Sequence, residues 1–247
     1  MAATVPPPQV QEQILPAAWR DALLYPFRGN GPMFLVAGAL LFSVIWLGAG
    51  AVPFGFIFIL AAQFYIAAYL WQVIEDSAAG KAELPDWPLM ARFEEVLPPG
   101  WNFVVVSFVC FGPGMLIQLF LPQYAWAGWA LLICGAAYLP MALLAVCLFD
   151  SFAGLDPRVV LPAIGQVPGP YAIVCLGTAA ALGLSASGQW LTVNLGWFGL
   201  PLAMLMTLYA MIVQMRLIGS LYHRHSSQIG WFDTDVGEAR DKGGVGA

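Results

Sequence analysis

Residues 29–74, 96–149 and 159–215 of this 247-residue chain contain no Asp, Glu, Lys or Arg. A water-soluble domain covers itself with charge and carries about 25 % charged residues. Here 9 % are charged and 60 % are hydrophobic, and the charges are confined to the gaps between the blank stretches. A bilayer core about 30 Å thick is crossed by roughly 20 helical residues, so each blank stretch holds two crossings and a short turn. The sequence therefore predicts an all-α integral membrane protein with six transmembrane helices arranged as three hairpins.

The segments between these stretches have a pattern of their own. Ile14 to Phe27 places Ile14, Leu15, Ala18, Trp19, Ala22, Leu23 and Phe27 at helical spacing, with Arg20 and Asp21 opposite. That pattern predicts an amphipathic helix lying in the membrane interface. Asp86-Trp87-Pro88 has the residues of a helix start and leads into a second such helix, which Pro98, Pro99 and Gly100 are expected to end. Asp156-Pro157-Arg158 begins a third, expected to last one or two turns because Pro162 and Pro168 interrupt it. The proline-rich residues 1–13 read as a disordered segment, residues 14–232 as a single six-helix membrane domain, and residues 233–247 as a polar C-terminal tail.

An internal repeat joins these parts. Asp76-Ser77-Ala78-Ala79-Gly80, after the second span, matches Asp150-Ser151-Phe152-Ala153-Gly154, after the fourth. Each follows an interfacial helix and a pair of spans, which predicts a threefold repeat over about 14–80, 86–154 and 156–222. The fifth span, rich in Gly, Ala and Ser, is expected inside the bundle, because small residues let helices approach closely in lipid.

All nine Lys and Arg residues fall on the side that a six-span count gives to the termini and the two long loops. Lys/Arg bias sets orientation, so both termini and the interfacial helices are expected to be cytoplasmic. Met1 to Gln13 has no Lys or Arg and does not resemble a cleavable signal peptide, so the first span is expected to be an uncleaved signal anchor. The basic residues form no run of the kind that binds nucleic acid, and none is expected as a partner. The four cysteines, Cys110, Cys134, Cys147 and Cys175, lie in apolar stretches without CxxC spacing. No metal and no cofactor is expected. No nucleophile or phosphate-binding loop accompanies the paired carboxylates Glu75-Asp76 and Glu94-Glu95, so the chain is expected not to be an enzyme.

Four residues remain as a candidate polar site: Gln63, Asp76, Asp150 and Arg216. Gln63, near the middle of its span, is placed either for a contact between helices or for a polar cavity. Arg216 is one turn inside the end of the sixth span. It has two readings, snorkelling to the interface or pairing with Asp76 or Asp150 at the repeated exits. Tyr222-His223-Arg224-His225 reads as an exposed tail rather than a metal site.

The segments Asp76 to Gly80, Asp86-Trp87, and Arg216-x-x-Gly219-x-x-Tyr222 with Gly230-Trp231-Phe232 resemble uncharacterised bacterial polytopic proteins related to the Yip-type and glycerophosphodiesterase membrane-domain families. The resemblance implies an integral module of the bacterial cytoplasmic membrane without catalytic residues, acting as a scaffold or assembly component. The expected function is thus a non-enzymatic subunit that scaffolds or stabilises other membrane components, with the lipid bilayer and a membrane-protein partner or a second copy as its contacts. The alternative is a small transporter or channel for a lipid-like or apolar substrate, with a path bounded by Gln63 and Arg216.

Overall fold

The computed structural model describes residues 19–85 and 93–232. This part of the chain is 88 % helix and has no strand. The expected disordered segment 1–13, the Asp86-Trp87-Pro88 helix start and the tail 233–247 lie outside the described residues. A helix over residues 19–24 runs into the 3-10 turn Tyr25–Phe27, and together they form a strap ahead of the first long helix. The helices that follow are α1 (Gly31–Ala49), α2 (Phe56–Ala78), α3 (Phe93–Phe120), α4 (Ala125–Phe149), α5 (Pro157–Gln166), α6 (Pro168–Leu195) and α7 (Gly199–Ile229).

Lipid offers no hydrogen bonds, so long apolar runs become helices, which satisfy their own backbone. Proline opens α5 and α6, where its missing N–H has no intrahelical acceptor to lose. Among the described residues, five helical stretches are long and apolar enough to cross a membrane: Gly31–Ala49, Phe56–Ala78, Val96–Phe120, Pro122–Phe149 and Pro168–Ile229. The last of these, 62 residues long, contains both α6 and α7. Gly188 faces Ala203 and Gly177 faces Leu217, so the two helices run antiparallel from the Gly196–Phe198 turn. Phe58, Phe108, Ile133, Leu176 and Trp190 are each 60–68 % exposed, an exterior suited to hydrocarbon and not to water. The chain is a multi-pass, membrane-embedded helical protein.

The core is concentrated in the second half of α4, where Met141 to Val146 are completely buried. Around it the helices meet through small residues. A side chain at Gly135 would run into the Cys110 carbonyl, and one at Gly114 would meet Leu132 and the Gly128 carbonyl, so the backbones of α3 and α4 all but touch. Pro140 cannot donate to the preceding turn of α4. One residue further along that turn, the Ala137 carbonyl accepts a hydrogen bond from the Tyr171 hydroxyl of α6. Helix α7 is the hub, packed on α6, α2 and α1.

Several expectations change. The first pair of helices is not a closed hairpin, since α1 leans chiefly on α7 and only lightly on α2. Pro98, Pro99 and Gly100 do not end a helix. Helix α3 continues through them, because the carbonyls that the two prolines leave without intrahelical partners lie in its first turn. Helix α5 lasts ten residues despite Pro162, held at its start by Asp156, whose carboxylate accepts from the Arg158 N–H at 2.8 Å.

The matched exits also differ in conformation. After α2 the helix runs through Ala78 and turns at Gly80 (φ 79°), whereas after α4 Asp150 itself is left-handed (φ 47°) and Ser151 caps the 3-10 turn Phe152–Leu155. Nor does the fifth span, α6, sit inside the bundle. Gly177, Thr178, Ala181 and Gly188 are buried, while Ala179, Ala180, Gly183, Ala186 and Ser187 are exposed. Only half of its small-residue surface is covered by α7, and a side chain at Gly183 would meet open space.

Overpacking therefore separates two glycines. A Cβ at Gly219 of α7 would lie 2.6 Å from the Ile74 carbonyl oxygen of α2. Gly219→Leu is expected to lower stability by at least the usual overpacking loss of about 1 to 3 kcal/mol. Gly183→Leu is expected to cause no loss, and a small gain from helix propensity. Thermal melting of both variants in mild detergent measures the difference.

Candidate functional site

The helix starts, loops and strap bring a group of charged side chains together at one end of the bundle. Its centre is Arg216, on α7, whose side chain is 8 % exposed. Its Nε and Nη2 donate to one carboxylate oxygen of Asp21 at 3.2 and 3.1 Å, its Nη1 donates to the Lys81 carbonyl at 2.7 Å, and its guanidinium lies 4.4 Å from the centre of the Tyr25 ring. The other Asp21 oxygen accepts from Arg28 at 2.6 Å. Arg28 also donates to the Ala82 carbonyl at 3.2 Å, and the Tyr25 hydroxyl donates to the Glu83 carbonyl at 3.0 Å.

Three parts of the chain are tied here: the strap, the loop 81–83 after α2, and α7. Tyr209 of α7 adds a further tie, donating to the Leu23 carbonyl at 3.1 Å. Below Arg216 on the same side of α7, Gly219 lets α2 approach. Tyr222 stacks at 6.0 Å on Trp231, which the left-handed Gly230 turns back over the helix end and against Phe149. The sequence pattern Arg216-x-x-Gly219-x-x-Tyr222 is thus one contact strip, with an ion pair, a close approach and an aromatic cluster in succession.

The partner of Arg216 is Asp21, neither Asp76 nor Asp150. Asp76 is taken by Lys81, five residues further on, at 2.6 Å. The left-handed turn at Asp150 ends α4 and leaves its side chain exposed. Arg216 does not snorkel, since its side chain is buried and makes three hydrogen bonds within the protein. Gln63 does not join this group. It lies thirteen residues before Asp76 on the unbroken helix α2, a separation of about 20 Å along the axis, and it faces outward. Of the other internal amides, Gln214 links helices, donating at 3.2 Å to Thr178, while Asn194 bonds within its own helix. His223 packs over Gly80, and among the described residues no group of three or more His, Cys, Asp or Glu is placed to hold a metal.

Asp21 was missed because its polar face reads as solvated. The available signal was its spacing from Arg28, seven residues or two helical turns, which returns both to one face. Partial burial pushes the Asp21 carboxyl up, but the hydrogen bond from Arg28 and the charge and hydrogen bond of Arg216 outweigh it, so the carboxyl titrates below its ordinary 3.8. A depressed folded-state value stabilises the fold above the unfolded value, and the contribution is lost as pH falls through the folded one.

The chain matches no family model, and comparison with curated proteins and with solved structures gave no match either. The arrangement fastens the strap and the loop to α7.

Removing one member of a buried ion pair leaves the other uncompensated, at roughly 3 to 5 kcal/mol. Asp21 is 24 % exposed at its side chain, so Arg216→Ala and Asp21→Ala are each expected near about 3 kcal/mol. In a double-mutant cycle followed by melting in detergent, the two should be strongly coupled, while Arg216→Ala combined with Asp150→Ala should be additive. Asp21→Asn should also remove the part of the acid destabilisation that sets in below pH 3.8.

Proposed function

We propose that the chain is a non-enzymatic assembly subunit of a bacterial cytoplasmic membrane, with six spans and both termini cytoplasmic, that holds other membrane proteins through the open face of α6. The resemblance to Yip-type and glycerophosphodiesterase membrane-domain proteins is in keeping with this role. The six-span reading takes α6 and α7 as separate crossings and is supported by their antiparallel packing. The orientation is supported by the described Lys and Arg residues, which lie on the strap, the loop after α2, α5 and the end of α7, and by the uncharged turns 50–55, 121–124 and 196–198 at the other ends of the helices.

The observation that carries the reading is the exposed strip Ala179, Ala180, Gly183, Ala186 and Ser187. Much of the remaining exterior presents large apolar side chains, which lipid solvates well, with small residues such as Ala37, Gly48 and Ala130 scattered among them. In a bilayer, small residues gain their stabilisation from close contact with another helix. The half of the α6 strip that meets α7 uses its small residues in this way, and the other half offers the same surface to a helix from outside. Two outward amides, Gln63 on α2 and Gln189 on α6, have no hydrogen bond among the described residues, and a partner helix would satisfy them.

The test is affinity purification in mild detergent with mass spectrometry of what is retained. A membrane protein is expected to co-purify with the wild type and to be lost from Ala179→Leu/Gly183→Leu, whose melting temperature does not fall below the wild-type value. Retention of the same partner by that variant would overturn the reading. Loss of a dimer instead would identify the partner as a second copy. For orientation, alkaline phosphatase fused after Gln123 should be active and fused after Lys81 or Arg158 inactive.

A further inference from the structure

We infer that the strap and the loop behind it form a binding site for an anionic lipid headgroup, with the Arg28 guanidinium as its centre and Leu23, Leu24 and Phe27 lying among the acyl chains. Arg28 differs from Arg216 chiefly in exposure. A guanidinium has five N–H donors. Arg216, 8 % exposed at its side chain, makes three hydrogen bonds inside the protein, whereas Arg28 uses one N–H on Asp21 and one on the Ala82 carbonyl, with 35 % of its side chain exposed. Its other donors belong to a planar group whose geometry suits phosphate oxygens.

The charge balance points the same way. Asp21 is the one carboxylate shared by Arg28 and Arg216, and the Lys81–Asp76 pair is neutral by itself. The three-residue lock therefore carries one excess positive charge, and exposed Arg20 on the strap adds another. The remaining charged neighbours are the exposed carboxylates Glu83, whose backbone carbonyl is held by Tyr25, and Glu75, near Asp76 and Lys81 at the end of α2. The positive charge is local to the strap, where Arg20 and Arg28 stand against the single carboxylate of Asp21. Lys81, 63 % exposed at its side chain, stands beside the Ala82 carbonyl that holds Arg28.

Apolar groups stand next to these cations. Leu23, Leu24 and Phe27 are 42 %, 47 % and 55 % exposed, while Ala22 and Tyr25 on the other side of the strap are buried against the bundle. A segment with one face docked, a second apolar and a basic edge matches the boundary between headgroups and acyl chains. Anionic phosphate at that level supplies the charge that the lock lacks. The inference depends on membrane embedding and is independent of whether α6 seats a partner.

The full-length protein in mild detergent is titrated with phosphatidylglycerol, phosphatidylcholine or inorganic phosphate, and melting is followed by tryptophan fluorescence. Phosphatidylglycerol is expected to raise the melting temperature, and the other two are not. Arg28→Gln and Arg20→Gln should each weaken the apparent phosphatidylglycerol affinity about fivefold, the share of one basic group near an anionic surface. Arg158→Gln, on α5, should leave it unchanged. Arg28→Gln also loosens the lock, so Arg20→Gln, which makes no contact with the lock, keeps the outcome separable from misfolding. Wild-type affinity in both strap variants, an equal response to phosphatidylcholine, or an equal loss in Arg158→Gln would overturn the site. A shift with inorganic phosphate would make it a free-anion site and overturn the lipid assignment.

Discussion

A buried guanidinium in a helix that is otherwise apolar needs a carboxylate, and the charged end of this protein is arranged around that need. Arg216 has 8 % of its side chain exposed, too little for water to solvate its charge. Its donors are met by Asp21 and the Lys81 carbonyl, with the Tyr25 ring under the guanidinium plane. Asp21 and Tyr25 belong to the strap, and the Lys81 carbonyl to the loop after α2. Satisfying one arginine therefore fixes the strap, the loop after α2 and the last helix against one another. The cation is strongly compensated, and its contribution is as much to registration of these parts as to net stability.

That registration reaches further along α7. With Arg216 anchored, Gly219 meets α2 one turn later, where a side chain of any size would strike the Ile74 carbonyl. Tyr222 then meets Trp231, returned by the left-handed Gly230. The close approach works only while α7 keeps its rotation, and the ion pair on one side of Gly219 and the aromatic contact on the other both resist turning it. Helix α2 is held at the same place by its own exit, where Lys81 pairs with Asp76 and lends its carbonyl to Arg216.

The sequence made the membrane character legible because lipid imposes it on every residue. Uncharged runs of this length have no soluble alternative, and the helices fall where those runs lie. What could not be read were choices made between distant residues. Asp21 and Arg216 are 195 positions apart, and the matched exits made Asp76 and Asp150 the nearer candidates by pattern. Local geometry removed both, since Lys81 sits within reach of Asp76 and a left-handed turn takes Asp150 out of the helix. The prolines at 98 and 99 misled for a related reason. Their effect depends on how far they lie from a helix start, and that start was not evident from composition. The small residues of α6 were legible as a packing surface, but a period of 3.6 does not say which side of a helix its own chain will cover.

That last ambiguity bears on what the protein is for. Apolar burial cannot drive helices together when the surroundings are as apolar as the side chains, so a membrane bundle is held by close packing and a few polar contacts. Here the close contacts are made by Gly114, Gly128 and Gly135 between α3 and α4, Gly177 and Gly188 between α6 and α7, and Gly219 between α7 and α2. At each of these sites a larger residue would separate two helices. Gly183 has no such neighbour, and a residue of good helix propensity at that position would make α6 more stable by itself, by roughly the 1 kcal/mol that separates Gly from Ala. A glycine on an open face, among Ala179, Ala180, Ala186 and Ser187, weakens the helix that carries it and gains nothing from lipid. On the function proposed for this chain, the contact of another helix from outside would offset that loss.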